Sequence, residues 1–221
     1  MKYRKIKVLE GDTYLIRQMN NKIVVNDDYT GLTILDFNLN ELKKIPLSPY
    51  YMFYDAIVVG DKYILLICED DGVFVVVNIE TDKVRIFSKP LMLKDDILKE
   101  CISCSESTAI LKSYRGVIYS LDLNLLCLNL KQDKIAIGNE EGEQSGQNAC
   151  NIAMGKYDVC MDDQLIVIKG KDKELRIIPQ TGFYNKGICT IKKNEVDELV
   201  ILCGSGDASM ALLIMADIID E

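Results

Sequence analysis

The chain has 221 residues, carries 26 Lys plus Arg against 34 Asp plus Glu for a formal net charge of −8, and contains eight cysteines but neither His nor Trp. That length suits one large β domain or two small ones, with a core big enough to need no disulfides or metal. The missing histidine excludes Ser-His-Asp and Cys-His nucleophile systems in their usual form, together with His metal ligands, and the acidic balance disfavours a nucleic-acid partner.

The chain opens on YRKIKVLE, residues 3–10, a basic-apolar alternation interrupted by charge too often to be a signal peptide. No window approaches the roughly 18 to 20 uninterrupted apolar residues of a membrane span. The cysteines Cys68, Cys127, Cys160, Cys189 and Cys203 lie in or beside apolar runs and read as small core hydrophobes. A cytoplasmic protein is expected from these features.

Next comes KIVVNDDYTGLTILDF, two apolar strands around a turn carrying Asp27, Asp28 and Tyr29, and then SPYYMFYDA, an aromatic cluster with Tyr50, Tyr51, Phe53 and Tyr54. The clearest stretch is DAIVVGDKYILLICEDDGVFVVVNIETDKVRIFS, residues 55–88, in which apolar runs are separated by GDK, EDDG and ETDK. Such short turns predict a four-stranded meander.

The third strand of that meander ends on Asn78 between apolar residues, and comparable endings occur at Asp36, Asp122 and Asp217. The spacings 78 − 36 = 42, 122 − 78 = 44 and 217 − 122 = 95 leave room for one degenerate copy between the last two. QLIVIKGKDKELRIIPQ, residues 164–180, is assigned to it as second and third strands, with Pro179 in the Asp or Asn position. Five copies result. In the fifth, MALLIMADIIDE supplies the third strand and leaves too few residues for a fourth, a gap that YRKIKVLE matches in length and pattern.

This arrangement resembles a five-bladed β-propeller closed by the N-terminal strand, at about 44 residues per blade. The resemblance is architectural: the Trp-Asp repeat signature is absent. It implies a single domain over residues 1–221 with blades near 11–48, 52–92, 100–131, 134–181 and 183–221 plus 2–10. Strands such as VFVVV and YILLI, apolar on both faces, fit blades covered on each side by neighbours. A β-sandwich or open β-meander uses the same strand list and is the alternative. GNEEGEQSGQNAC, residues 138–150, breaks the pattern and is expected to be a flexible loop.

Three motifs touch on chemistry. Cys101-Ile-Ser-Cys104 has thiol or half-zinc-site spacing, but strand alternation would put Cys101 and Ser103 on one face and Cys104 on the other, a structural role. GSGD, residues 204–207, lacks the phosphate-loop spacing and reads as a hairpin turn. The acidic groups Asp27–Asp28, Glu69–Asp71, Asp95–Asp96 and Asp162–Asp163 could serve a hydrolase, yet they sit where turns need such residues.

Equivalent turns lie on one face of a propeller, so Asp27, Asp28, Tyr29, Glu69, Asp70 and Asp71 are expected to form an acidic rim, with Tyr50 and Tyr51 adding interface-favoured aromatics. The functional expectation is a non-catalytic, monomeric protein-binding module for a cationic partner, most concretely an immunity or inhibitor protein neutralising a basic toxin such as a nuclease. It needs no cofactor, metal or catalytic residue. The alternatives are a carboxylate-dependent hydrolase acting on a sugar or phosphate, and a scaffold subunit of a larger assembly.

Overall fold

The computed structural model describes residues 2–47, 51–93, 96–132, 150–154, 157–171, 174–193 and 196–217. It begins with β1 (Lys2–Glu10) and continues through β2 (Ile16–Met19), β3 (Lys22–Asp27), β4 (Gly31–Asp36) and β5 (Glu41–Pro46), which pair in that order as one antiparallel sheet from β2 onward. The second sheet is β6 (Asp55–Val59), β7 (Tyr63–Cys68), β8 (Val73–Asn78) and β9 (Lys83–Ser88). The third is β10 (Leu98–Cys104), β11 (Thr108–Ser113), β12 (Ile118–Asp122) and β13 (Cys127–Gln132).

The fourth sheet is β14 (Cys150–Met154), β15 (Tyr157–Met161), β16 (Ile166–Lys169) and β17 (Glu174–Ile177). In the fifth, β18 (Phe183–Lys193), β19 (Val196–Ser205) and β20 (Met210–Asp217) are joined by β1, which pairs antiparallel with β20 from Lys2↔Asp217 to Glu10↔Met210. Five four-stranded antiparallel blades, the last completed by the N-terminal strand, make this a five-bladed β-propeller. By contact density the chain divides into one unit of Met1–Pro49 with Ser145–Glu221, and a second of Tyr50–Gln144.

In the first two blades burial follows strand position. Their second and third strands are covered on both faces: β3, β4, β7 and β8 are buried at nearly every interior position, whereas β11 and β16 alternate buried and less covered positions. Outer strands are not, as β9 shows with five of its six residues exposed. That is why the central strands read as unbroken apolar runs, each buried Val, Leu or Ile contributing about 1.5–3 kcal/mol.

In the first unit the β18–β19–β20–β1 sheet packs on both sides. Val200, Leu202, Leu213 and Met215 meet Ile16, Ile23, Val25 and Leu35 of the first sheet. Leu199, Ile201 and Cys203 meet Val159, Ile166 and Ile168 of the fourth. Inner strands approach so closely that a Cβ on Gly187 would lie 2.6 Å from the Ile16 side chain. In the second unit, Ile57, Leu65 and Phe74 pack against Leu98, Leu111 and Tyr119.

The repeated Asp or Asn has a direct cause. The Asp36 carboxylate accepts the amides of Asn38 and Asn40 at 2.8 Å each; Asn78 accepts those of Glu80 and Thr81; Asp122 accepts those of Asn124 and Leu125. Each side chain caps the turn from the third strand to the fourth, satisfying amides that no strand partner reaches.

The fourth blade corrects its sequence assignment. Gln164–Gln180 supplies its third and fourth strands, β16 and β17, not the second and third, so Pro179 follows the last strand. The third strand ends at Lys169, which fits the period (169 − 122 = 47), where the other copies have Asp or Asn. The sequence GKDK between β16 and β17 has the turn residues that elsewhere join strands two and three, hence the one-strand shift. The loop expected at 138–150 lies outside the described residues except for Cys150, the first residue of β14.

Two cysteines also depart from expectation. Cys68, Cys189 and Cys203 are buried, but Cys127 is exposed and Cys160 half-buried, because both stand on the less covered faces of their strands.

β1 is held by an ion pair as well as by its ladder. A register shift between Tyr3 and Lys5 releases Arg4 from the regular pairing, and its guanidinium bonds the Glu198 carboxylate, whose side chain is 1% exposed. The other Glu198 oxygen is buried without a hydrogen-bond partner. Removing the arginine would strand a buried charge, so Arg4→Ala should destabilise the protein by about 3 kcal/mol. Arg4→Ala combined with Glu198→Gln should recover much of that loss; denaturant midpoints of the two variants check both statements.

Candidate functional site

Each unit presents one group of the acidic turn residues. In the first unit the β3–β4 hairpin carries Asp27, Asp28 and Tyr29, and the segment before β2 lies against it. The link is Asn26, 1% exposed. Its carbonyl oxygen accepts the amides of Tyr14 and Leu15 at 2.8 Å each, and its amide group donates to the backbone oxygens of Asp12 and Asp28 at 2.7 Å each. One side chain thus uses its full donor and acceptor capacity to bind two loops together.

On that base, the Tyr29 hydroxyl donates to Asp12 at 2.6 Å, and the Tyr29 and Tyr14 rings stand 5.8 Å apart with 36° between their planes. The carboxylates are already engaged. Asp27 pairs with Lys44 at 2.8 Å, a bond that raises the lysine pKa, and Asp28 accepts the Asp12 amide at 3.2 Å while holding a left-handed φ of 52°. Asn26, Asp12 and Tyr14 were not singled out from the sequence. The one available signal was an Asn inside the apolar run KIVVND, in a strand that turns out to be buried.

In the second unit the topologically equivalent β7–β8 turn carries Glu69, Asp70 and Asp71. Glu69 is half-buried and pairs with Lys89 at 2.7 Å, its other oxygen lacking a partner. Asp71 is exposed and accepts the Met52 amide at 3.2 Å, which holds the aromatic segment against the turn. Of that segment Phe53 is fully buried, Tyr51 half-buried and Tyr54 54% exposed; Tyr50 lies outside the described residues. The Tyr54 phenol has its pKa raised by partial desolvation and then by the charge of Asp70, to which it hydrogen-bonds, with Asp71 adding a smaller effect.

The acidic theme does not continue through every second-to-third-strand turn. In the third blade that turn is Tyr114-Arg115-Gly116, with Lys99 5.8 Å from the Tyr114 ring centroid. In the fourth blade the second-to-third-strand turn, β15–β16, is again acidic, and Asp162 caps it through the amides of Gln164 and Leu165. Asp96 is buried and accepts the Ile97 amide at 2.9 Å; Asp95 lies outside the described residues.

GSGD proves to be a hairpin turn between β19 and β20, organised by Asp207. Its carboxylate accepts the Ser205 and Ser209 hydroxyls at 2.7 Å and the Ser209 amide at 3.1 Å. An apolar groove of about 240 Å³ in the same unit is lined by Ile6, Ile177, Ile178, Ile201 and Ile214, with no charged side chain. Among the described residues no three of His, Cys, Asp and Glu lie together as metal ligands, and no helix is long and apolar enough to cross a membrane.

The Ser205 hydroxyl, followed by that of Ser209 and its amide, holds the Asp207 carboxyl down at about 2, from an ordinary 3.8. A depressed pKa favours the folded state above the ordinary value, and the advantage fades as pH falls through the folded one. An NMR titration should therefore find the Asp207 midpoint near pH 2, with the β19–β20 turn loosening between about pH 4 and pH 2. Ser205→Ala should raise that midpoint.

No protein-family model and no curated protein sequence matches the chain. Solved structures do. The β-propeller domain of Cps50 (Swd1) from Myceliophteria thermophila aligns over 97% of this chain and 100% of its own, with a TM-score of 0.54 and 7% identity. Virginiamycin B lyase from Staphylococcus aureus aligns over 96% of this chain and 74% of its own at 8% identity, and BamB from Moraxella catarrhalis over 91% and 71% at 11%, with TM-scores of 0.43 and 0.36. At such identities the likeness to the Cps50 domain establishes the propeller fold alone, and the two lower scores add no argument to it.

Proposed function

We propose that this chain is a non-catalytic protein-interaction module that engages a cationic partner, with Asp70, Asp71 and Tyr54 as its anchor. The observation that carries the reading is the exposed Asp70 and Asp71 of the β7–β8 turn with the exposed phenol of Tyr54, from the segment before β6, set beside them in the second unit. Carboxylates attract Lys and Arg, and tyrosine adds contact area at small entropic cost. Asp27, Asp28 and Tyr29 form a secondary surface, weaker because Lys44 and the Asp12 amide already compensate its charge. Glu69, paired with Lys89, and Tyr51, half-buried, flank the anchor in sequence and are the less available members of the group.

The net charge of −8 favours a basic protein over nucleic acid as the partner. In its most specific form the reading is an immunity or inhibitor protein in the cytoplasm that masks a basic toxin. The scaffold reading uses the same surface to hold a subunit of an assembly. The carboxylate-hydrolase reading draws no comparable support: Asp27 and Glu69 are each bonded to a lysine, Asp71 to the amide of Met52, and Asp162 to amides of its own turn.

The test is capture of partners from native cells by the purified chain at about 0.05 M and about 0.5 M salt, where screening differs most. Capture should fall at high salt, and Asp70→Asn with Tyr54→Ala should reduce it about five- to tenfold at low salt, the sum expected of two partly exposed contacts. A captured toxin inhibited one-to-one would establish the inhibitor form. Salt-insensitive capture unchanged by the double substitution would contradict the proposal.

A further inference from the structure

The Cys101–Cys104 pair does not follow simple strand alternation. Along β10, Cys101 stands opposite Leu111, the register then slips, Ser103 stands opposite Ile110 and Cys104 opposite Ala109. Residues directly opposite in an antiparallel pair share a face, and Leu111 and Ala109, two apart on β11, share one with each other. The extra residue therefore brings Cys104 to the same face as Cys101, whereas an unbroken strand would have put them on opposite faces.

Both sulfurs converge on the β6–β7 turn of the same unit. Gly60, at a left-handed φ of 60°, contributes a backbone hydrogen bond to Cys101, and a Cβ on it would lie 3.0 Å from the Cys104 sulfur. A side chain at this position would close the space between the thiols and the turn. Cys104 is exposed and Cys101 half-buried, so a small ion can reach the pair from solvent. Asp61, next along the chain, is close enough for its charge to act on Cys104.

The spacing selects the ligand. Leu111 and Ala109, two apart on β11, are separated by about 6.8 Å between Cα atoms, twice the ~3.4 Å rise, and their pairing sets the bulged Cys101 and Cys104 opposite them at about the same distance, the upper end of the roughly 4.4–6.8 Å that a disulfide spans. A two-coordinate ion with bonds of about 2.3 Å, the length of zinc thiolates, holds two sulfurs up to about 4.6 Å apart and suits the longer separation better. Zinc itself takes four ligands, and among the described residues no third His, Cys, Asp or Glu joins the pair. Soft thiolates with a low coordination number favour cuprous ion.

We propose that Cys101 and Cys104 form a two-thiolate site for a soft monovalent cation of the cuprous type, assembled by the β10 bulge over Gly60. Binding replaces two S–H bonds by two metal–sulfur bonds and releases two protons, with no change of oxidation state. The site lies apart from the Tyr54 anchor residues and does not depend on the function proposed for them.

The experiment offers anaerobic, fully reduced protein cuprous ion as its coloured bicinchoninate complex and follows loss of the colour. One ion per chain should transfer. Cys101→Ser and Cys104→Ser should each weaken binding about a hundredfold or more, a loss that even partners behind the ligands can cause, while Cys127→Ser should leave it unchanged. In the unsubstituted protein, bound ion should protect Cys101 and Cys104 from alkylation, read by mass spectrometry, so the result does not depend on the variants folding. No transfer, transfer retained in both serine variants, or alkylation of the pair unaffected by the ion would overturn the proposal.

Discussion

The pairing of β1 with β20 is the contact on which the architecture rests. It joins residues near the two ends of the chain into one ladder of eight residue pairs. Without it β20, which is buried on its inner positions, would present a row of unpaired amides and carbonyls along a strand of Ala, Leu, Ile and Met. Such an edge is costly and prone to pairing with other chains. With it the fifth blade has the same four strands as the others, and the β18–β19–β20 core can serve the first and fourth sheets on its two faces. Burial is unequal along β1 itself: Ile6 and Val8 are 56% and 60% exposed, so the ladder and the Arg4–Glu198 pair, more than apolar packing, fasten this strand.

The same logic of unmet backbone groups runs through the rest of the molecule. Where the chain leaves a strand, a short polar side chain accepts the amides that the ladder abandons, as Asp36, Asn78, Asp122, Asp162 and Asp207 do in their turns. Many of the acidic residues that make the chain anionic are therefore structural first. What distinguishes the Asp70–Asp71 turn is that its carboxylates remain exposed beside Tyr54 while Glu69 and Lys89 carry the structural pairing. Function is read best from the charges that the fold does not consume.

This also explains what could be read from the residues alone. The blade count, the meander at residues 55–88 and the closing strand were legible because burial on both faces forces long apolar runs, and because the capping Asp or Asn recurs with the blade. The fourth blade is shifted by one strand because its third strand ends on Lys169 instead of Asp or Asn, so the turn-like sequence GKDK that follows takes the place of the earlier turn. The position of Cys104 was hidden by a bulge, which local composition does not announce. Asn26 was hidden because its importance comes from two loops meeting in space, and the acidic turns could be found while their intrachain partners, Lys44 and Lys89, stood 17 and 20 residues away.

The closing pairing is tested most directly by deleting residues 3–8 and following denaturant unfolding together with amide exchange. The account predicts a lower midpoint and loss of protection through β20 and into β19, because the blade loses its outer strand and the buried Glu198 loses Arg4. An unchanged midpoint, with β20 amides as protected as before, would contradict it.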